Sequence, residues 1–175
     1  MAAHFIFNLF VCLSNCIEED YNKKCKAIDE YSRFCYPEAF EEHSSYSSAV
    51  FLDHMLKAFK FKVECVQTDN GAEFTKWLGS FEKPTPTLFE KLLKQRGIKH
   101  KLIKPYTPRH NGKVERSHRK DNEYFYATHT FYSFDDFKKQ LAVHSRKYNN
   151  FPMRPLNWMS PSDYIKAFLK TGQVF

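Results

Sequence analysis

The chain has 175 residues, 42% hydrophobic and 17% aromatic, which is enough to bury the core of one compact domain and too apolar for a disordered chain. Its net charge of +7 and pI near 9.1 suit a polyanionic partner, although an acidic protein or a membrane surface would meet that charge as well as a nucleic acid. The five cysteines (Cys12, Cys16, Cys25, Cys35, Cys65) contain no C-x-x-C pair, support neither a disulfide framework nor a zinc knuckle, and read as reduced thiols of a cytoplasmic protein.

The apolar opening, 2–11, is interrupted by His4 and Asn8 and has no basic residue before it, unlike a secretory signal. It is too short to span a bilayer, and reads either as a buried strand or as a stretch outside the fold. AIDEYSRFCYPEAF (27–40) is aromatic and partly alternating, as a pair of strand segments with Pro37 at an edge or bend. Over 45–59 the period becomes helical, with Val50, Phe51, His54, Met55 and Ala58 on one face. A short strand over 62–68 ends at Asp69, and Asn70-Gly71 makes the following turn.

Residues 75–85 read as a loop. Thr85 as N-cap and Pro86 as first residue start a second helix with a Leu88, Phe89, Leu92 and Leu93 stripe, closing at Gly97. IKHKLI (98–103) is strand-like, and KPYTPRH (104–110), with two prolines, is a stiff loop. The next helix starts near Asn111, its expected N-cap. Lys113, Arg116, Ser117, His118, Arg119 and Lys120 leave only Val114 to pack in its first half, so it is exposed or faces a charged ligand. Ser133 with Asp136, and Ser160-Pro161 with Asp163, start two further helices, the first with Phe134, Phe137, Leu141 and Tyr148 on one face. The order is that of an α/β fold with a helical C-terminal part and no internal repeat.

Between Lys99 and Lys120 there are eight Lys or Arg and one acid, Glu115. Displacement at phosphorus uses two divalent ions about 4 Å apart, and hard cations take a few carboxylate oxygens while keeping waters and phosphates as other ligands. Asp69 and Glu115 have the chemistry for this. Taken singly, Asp69 serves equally as the first residue of a turn, and Glu115 as a first-turn acid that meets the helix dipole and pairs with Arg119. Lys113, Arg116, Arg119 and Lys120 lie largely along one side of their helix, as contacts to duplex phosphates or as a solvated face. Tyr124, Phe125 and Tyr126 offer surfaces for base stacking, but in so aromatic a chain core packing is the better account.

QTDNGAEF, GIKHKLIKPYTPRHNGKVERSHR, FYSFDDFKKQL and RKYNNFPMRPLNWMSPSDY, taken together, closely resemble the catalytic core of DDE-type transposases of bacterial insertion sequences, relatives of retroviral integrases. AIDEYSRFCYPEAF resembles that family's second and third strands, and the resemblance covers about 27–164. It implies a ribonuclease-H-like mixed sheet flanked by helices, with a helical C-terminal extension. It further implies Asp69 and Glu115 as the second and third metal carboxylates and Mg²⁺ or Mn²⁺ as cofactor. Lys113, Arg116 and Arg119 would contact DNA, with Lys104, Arg109, His110, Asn111 and Lys120 completing the interface. The partners would be transposon ends and target DNA, with no membrane and with homo-oligomerisation open.

The departure is in the first strand, where the family places its first catalytic Asp and this chain has FIFNLFVCL (5–13), without an acid. Asp29 belongs to the neighbouring strand, and Glu18, Glu19 and Asp20 fall where a hairpin is expected. The expected organisation is a divergent segment 1–26, a core 27–130 and a helical part 131–175 of the same domain. The helix-turn-helix region that usually precedes such cores is expected to be missing. The function to expect is metal-dependent DNA cleavage and strand transfer by a truncated or decayed transposase, inactive for want of one carboxylate. A non-catalytic nucleic-acid-binding remnant and a ribonuclease-H-like nuclease are the alternatives.

Overall fold

The computed structural model describes residues 7–15, 23–42, 44–59, 61–76, 85–103 and 112–171, with side chains for all of these except 7–15, 23 and 112–115. Five strands, β1 (Phe7–Asn15), β2 (Lys23–Asp29), β3 (Cys35–Phe40), β4 (Val63–Thr68) and β5 (Lys99–Leu102), form one sheet in the order β3-β2-β1-β4-β5. The first three make an antiparallel meander, while β4 runs parallel to β1 and β5 parallel to β4. Parallel neighbours need long crossovers, which α1 (Ser45–Ala58) and α2 (Leu88–Gln95) provide. The apolar opening therefore contributes the central strand, whose near-continuous hydrophobic run suits burial on both faces. Residue 26, the expected end of the divergent segment, lies inside β2.

Alternation along β2 separates two interiors. Cys25 and Ala27 face a core made by Phe51, Leu52, Met55 and Phe59 of α1 and its C-cap, Phe89 and Leu93 of α2, and Val63, Val66 and Phe74. Lys24 and Lys26 face the other way, toward α3 (Gly112–Tyr124), and both are buried. Beyond them a second apolar cluster joins Ala39 of β3 to Phe125, Tyr126, and Phe137 and Leu141 of α4 (Phe134–Asn149). Phe125 and Tyr126 are thus core residues, whereas Tyr124 is 67% exposed.

Three sequence expectations shift by a few residues. The buried face of α1 is Ser47, Ser48, Phe51, Leu52 and Met55; His54 lies on its exposed side, with Nδ1 2.8 Å from Glu38 Oε1. The N-cap of α2 is Thr87, not Thr85. Thr87 Oγ1 accepts from Glu90 N at 3.1 Å and Glu90 Oε2 accepts from Thr87 N at 2.8 Å, a reciprocal arrangement that Thr85, three residues before Leu88, cannot make. At the Ser133 cap of α4, Asp136 N donates to Ser133 Oγ, but Asp136 Oδ2 takes the amide of Tyr132 in place of that of Ser133. Gly97 ends α2 at φ +66°, the left-handed position that favours glycine, with Ile98 N donating to Leu93 O at 2.9 Å.

α5 (Pro161–Thr171) starts as expected, with Asp163 N donating to Ser160 Oγ. α4 is fastened to the sheet by Asn149, which accepts from Cys35 N at 2.9 Å and donates to Cys35 O at 2.8 Å. Among the described residues no helix is long and apolar enough to cross a membrane.

Candidate metal and DNA site

Asp69 directly follows β4, and its turn is fixed from several sides. Gly71 N donates to Asp69 Oδ1 at 3.0 Å, so the carboxylate does serve the turn. Thr68 Oγ1 donates to Asp69 O at 2.9 Å and lies 2.8 Å from His100 Nε2 of β5. Asn70 Nδ2 donates to Ile103 O at 2.9 Å, which ties the turn to the end of β5. Burial lowers the His100 pKa against the opposing pull of Glu90, which keeps the imidazole neutral beside Thr68.

α3 carries Glu115 in its first turn and lies across β1. The side chains of Lys113 and Glu115 are outside the described set, and Lys104, Arg109, His110 and Asn111 lie outside the described residues. Arg116, Arg119 and Lys120 are exposed on the same helix, while Ser117 and Asp121 are buried.

Between Asp69 and α3 runs β1. Its pairing with β4 sets Asn8 beside Cys65, Leu9 beside Val66 and Phe10 beside Gln67. Continued by two residues, the same register brings Cys12 level with Asp69. On its other edge Cys12 is the partner of Lys26. The segment FNLFVCLSN therefore passes the candidate site without an acid. Asp29 does not compensate: it lies at the opposite end of β2 and closes the hairpin, its Oδ2 accepting from Ser32 N at 2.7 Å and Ser32 Oγ at 2.6 Å. Burial raises its pKa against those hydrogen bonds.

The structure adds a charged cluster that the sequence did not suggest. Asp121 Oδ2 accepts from Lys24 Nζ at 2.8 Å and from Lys26 Nζ at 2.6 Å, and Lys26 Nζ also donates to Ser117 Oγ. His144 Nε2 of α4 is 3.3 Å from Asp121 Oδ1. Burial by itself would raise the Asp121 pKa, but the hydrogen bond with His144 and the charges of Lys26 and Lys24 hold it well below the ordinary carboxylate range. Two cues were present: lysines at alternate positions of a strand next to the sheet centre, and Ser117 with Asp121 at i,i+4 on a helix that otherwise lacks apolar residues to pack.

Among the described residues no group of three or more His, Cys, Asp or Glu is placed to hold a metal ion. Cys25, Cys35 and Cys65 are buried free thiols, and burial pushes the Cys35 pKa up to about 11.

A sheet of this order, flanked by helices, with one acid at the end of β4 and another on a helix across β1, defines an α/β domain of the ribonuclease-H-like class. Two integrase core domain profiles match the sequence, one over 18–108 and the other over 96–161. The chain belongs to the integrase core domain family. Its fold is similar to that of the catalytic core domain of BIV integrase, with a TM-score of 0.66 over 95% of this chain and 98% of that one, at 18% identity. No curated protein matches the chain. Cores of this family are of the polynucleotidyl transferase type, act on DNA and typically depend on a divalent metal.

Proposed function

We propose that this chain is a transposase-type integrase core that binds DNA and has lost most or all of its strand-transfer turnover. Asp69 and Glu115 are its remaining metal carboxylates. Lys104, Arg109, His110, Asn111, Lys113, Arg116, Arg119 and Lys120 form its DNA interface at transposon ends. The organisation we favour keeps 27–130 as the integrase core and 131–175 as its helical C-terminal part, with 1–26 the segment that has diverged.

The observation that carries this reading is the register of β1: the strand level with Asp69 presents Cys12 where a carboxylate would complete the site. A two-ion clamp needs carboxylate oxygens that hold both ions, and one Asp with one Glu does not supply them. Two carboxylates do fit a single Mg²⁺ or Mn²⁺ that keeps water and DNA phosphate in its other positions. Such an ion would polarise a phosphate and bridge it to the protein. The chain's own part is to hold Asp69 in its turn and to present Arg116, Arg119 and Lys120 to the backbone of the duplex.

A cleavage and strand-transfer assay on element ends with Mg²⁺ or Mn²⁺ tests this. Salt-sensitive DNA binding with negligible turnover is expected. Robust turnover that disappears in Asp69→Asn would overturn the inactivity. Turnover on RNA–DNA hybrids but not on element ends would identify a ribonuclease-H-like nuclease instead.

A further inference from the structure

His118 is enclosed on α3, with Nδ1 and Nε2 both buried and neither hydrogen-bonded among the described residues. Leaving a buried polar group unsatisfied costs about 1–3 kcal/mol, so native proteins rarely keep one without water, an ion or a function. Glu115-Arg116-Ser117-His118 is a Glu-x-x-His segment, in which one helical turn brings a carboxylate and an imidazole to one face. Helices in carboxylate-bridged metal proteins use the same spacing to give both groups to one ion.

The seating of the helix agrees. Ser117 and Asp121 join α3 to β2 through Lys26 and Lys24, and the next strand toward Asp69 is β1, which α3 also contacts. His118 is about 100° round the helix from Ser117, and its enclosed nitrogens place it under the helix, away from solvent.

We propose that His118 is a ligand of a single divalent cation held together with Asp69 and Glu115, so that an imidazole serves where the first strand offers no carboxylate. This inference rests on the assignment of Asp69 and Glu115 made above. Burial, with Lys24 and Lys26 adding to it, lowers the His118 pKa to about 4, so the ring is neutral at pH 7, the form that binds metal. The same two ammonium groups oppose a cation. Asp121 bonds to both and offsets one of the charges, which predicts a weak site. An imidazole also moves the preference from Mg²⁺ toward Mn²⁺.

The test is titration of the full chain with Mn²⁺ alone, followed by electron paramagnetic resonance, with pulsed detection of nitrogen coupled to the bound ion. Wild-type protein should show nitrogen coupling. His118→Ala should lose it and bind Mn²⁺ at least about tenfold more weakly, the lower bound seen when even outer-shell partners are removed. His118→Asn, checked for folding by circular dichroism, guards against collapse of the alanine variant and should behave alike. Unchanged affinity in the folded His118 variant, with no nitrogen coupling in the wild type, while Asp69→Asn and Glu115→Gln abolish binding, would overturn the His118 assignment and leave the two-carboxylate reading standing. Failure of wild-type protein to bind Mn²⁺ would overturn both.

Discussion

Lys26 of β2 and Asp121 of α3, 95 residues apart in sequence, meet at 2.6 Å with side chains only 2% and 7% exposed. With Lys24 at 2.8 Å from the same oxygen, one carboxylate balances two buried ammonium groups at the junction of sheet and helix. Breaking a buried ion pair from one side strands the other charge, whereas replacing the whole cluster with apolar groups is often neutral or stabilising. Asp121→Ala should therefore cost about 3–5 kcal/mol, and the triple variant Lys24→Met, Lys26→Met, Asp121→Leu should be about as stable as the wild type. Urea denaturation of the two proteins measures both; equal loss in each would mean that the cluster acts through shape and not through charge.

The chain should lose stability in acid. The folded pKa of His118 is lowered to about 4 from 6.5, so between those values the unfolded chain binds more protons and stability falls as pH drops through that window. A shift of this size corresponds to up to about 3 kcal/mol. Asp121, whose folded pKa is depressed, works in the same sense: its contribution is present above the unfolded carboxylate pKa and is lost only as pH falls below it. In His118→Asn the slope of stability between pH 6.5 and 4 should flatten, which thermal melts across that range would reveal.

Cys12→Asp puts a carboxylate level with Asp69. If the absent acid is what limits the site, this one change should produce Mg²⁺- or Mn²⁺-dependent cleavage of DNA element ends, and a second change, Asp69→Asn, should remove it. A folded Cys12→Asp variant that stays silent while binding DNA would place the defect elsewhere.

Arg116, Arg119 and Lys120 are exposed along α3. Each alanine substitution should weaken duplex binding without regard to sequence and reduce the slope of log K against log salt by about 0.9 per lost phosphate contact. Fluorescence anisotropy at several salt concentrations reads both quantities. An unchanged slope in the triple alanine variant would show that this face is merely solvated.

Thr87→Ala removes the capping Oγ of α2, the helix that carries Phe89 and Leu93 into the core behind the Asp69 turn. Thr87 Oγ1 also donates to Phe74 O at 2.9 Å, so the loss should reach about 1–2 kcal/mol and be read as a shift of the urea midpoint.

Local signals determined much of this protein. The alternation of 62–68, the helical period of 45–59 and the Ser133 and Ser160 caps each depend on neighbours a few residues away, and they appear as β4, α1, α4 and α5. The motifs around Asp69 and Glu115 likewise pointed to an integrase core, and the acid-free opening was legible as a departure from it. Where two local solutions competed, at Thr85 against Thr87 and in the rotation of α1, reciprocal hydrogen bonding and the position of the sheet made the choice. Only the tertiary structure decided that the opening run is the central strand, because strand pairing is a long-range relation. That pairing set Cys12 level with Asp69 and between it and Lys26. Burial also gave Lys24, Lys26, Ser117, His118 and Asp121 their meaning: in the sequence they read as part of a basic, solvated pattern, and desolvation turned them into one coupled cluster under α3.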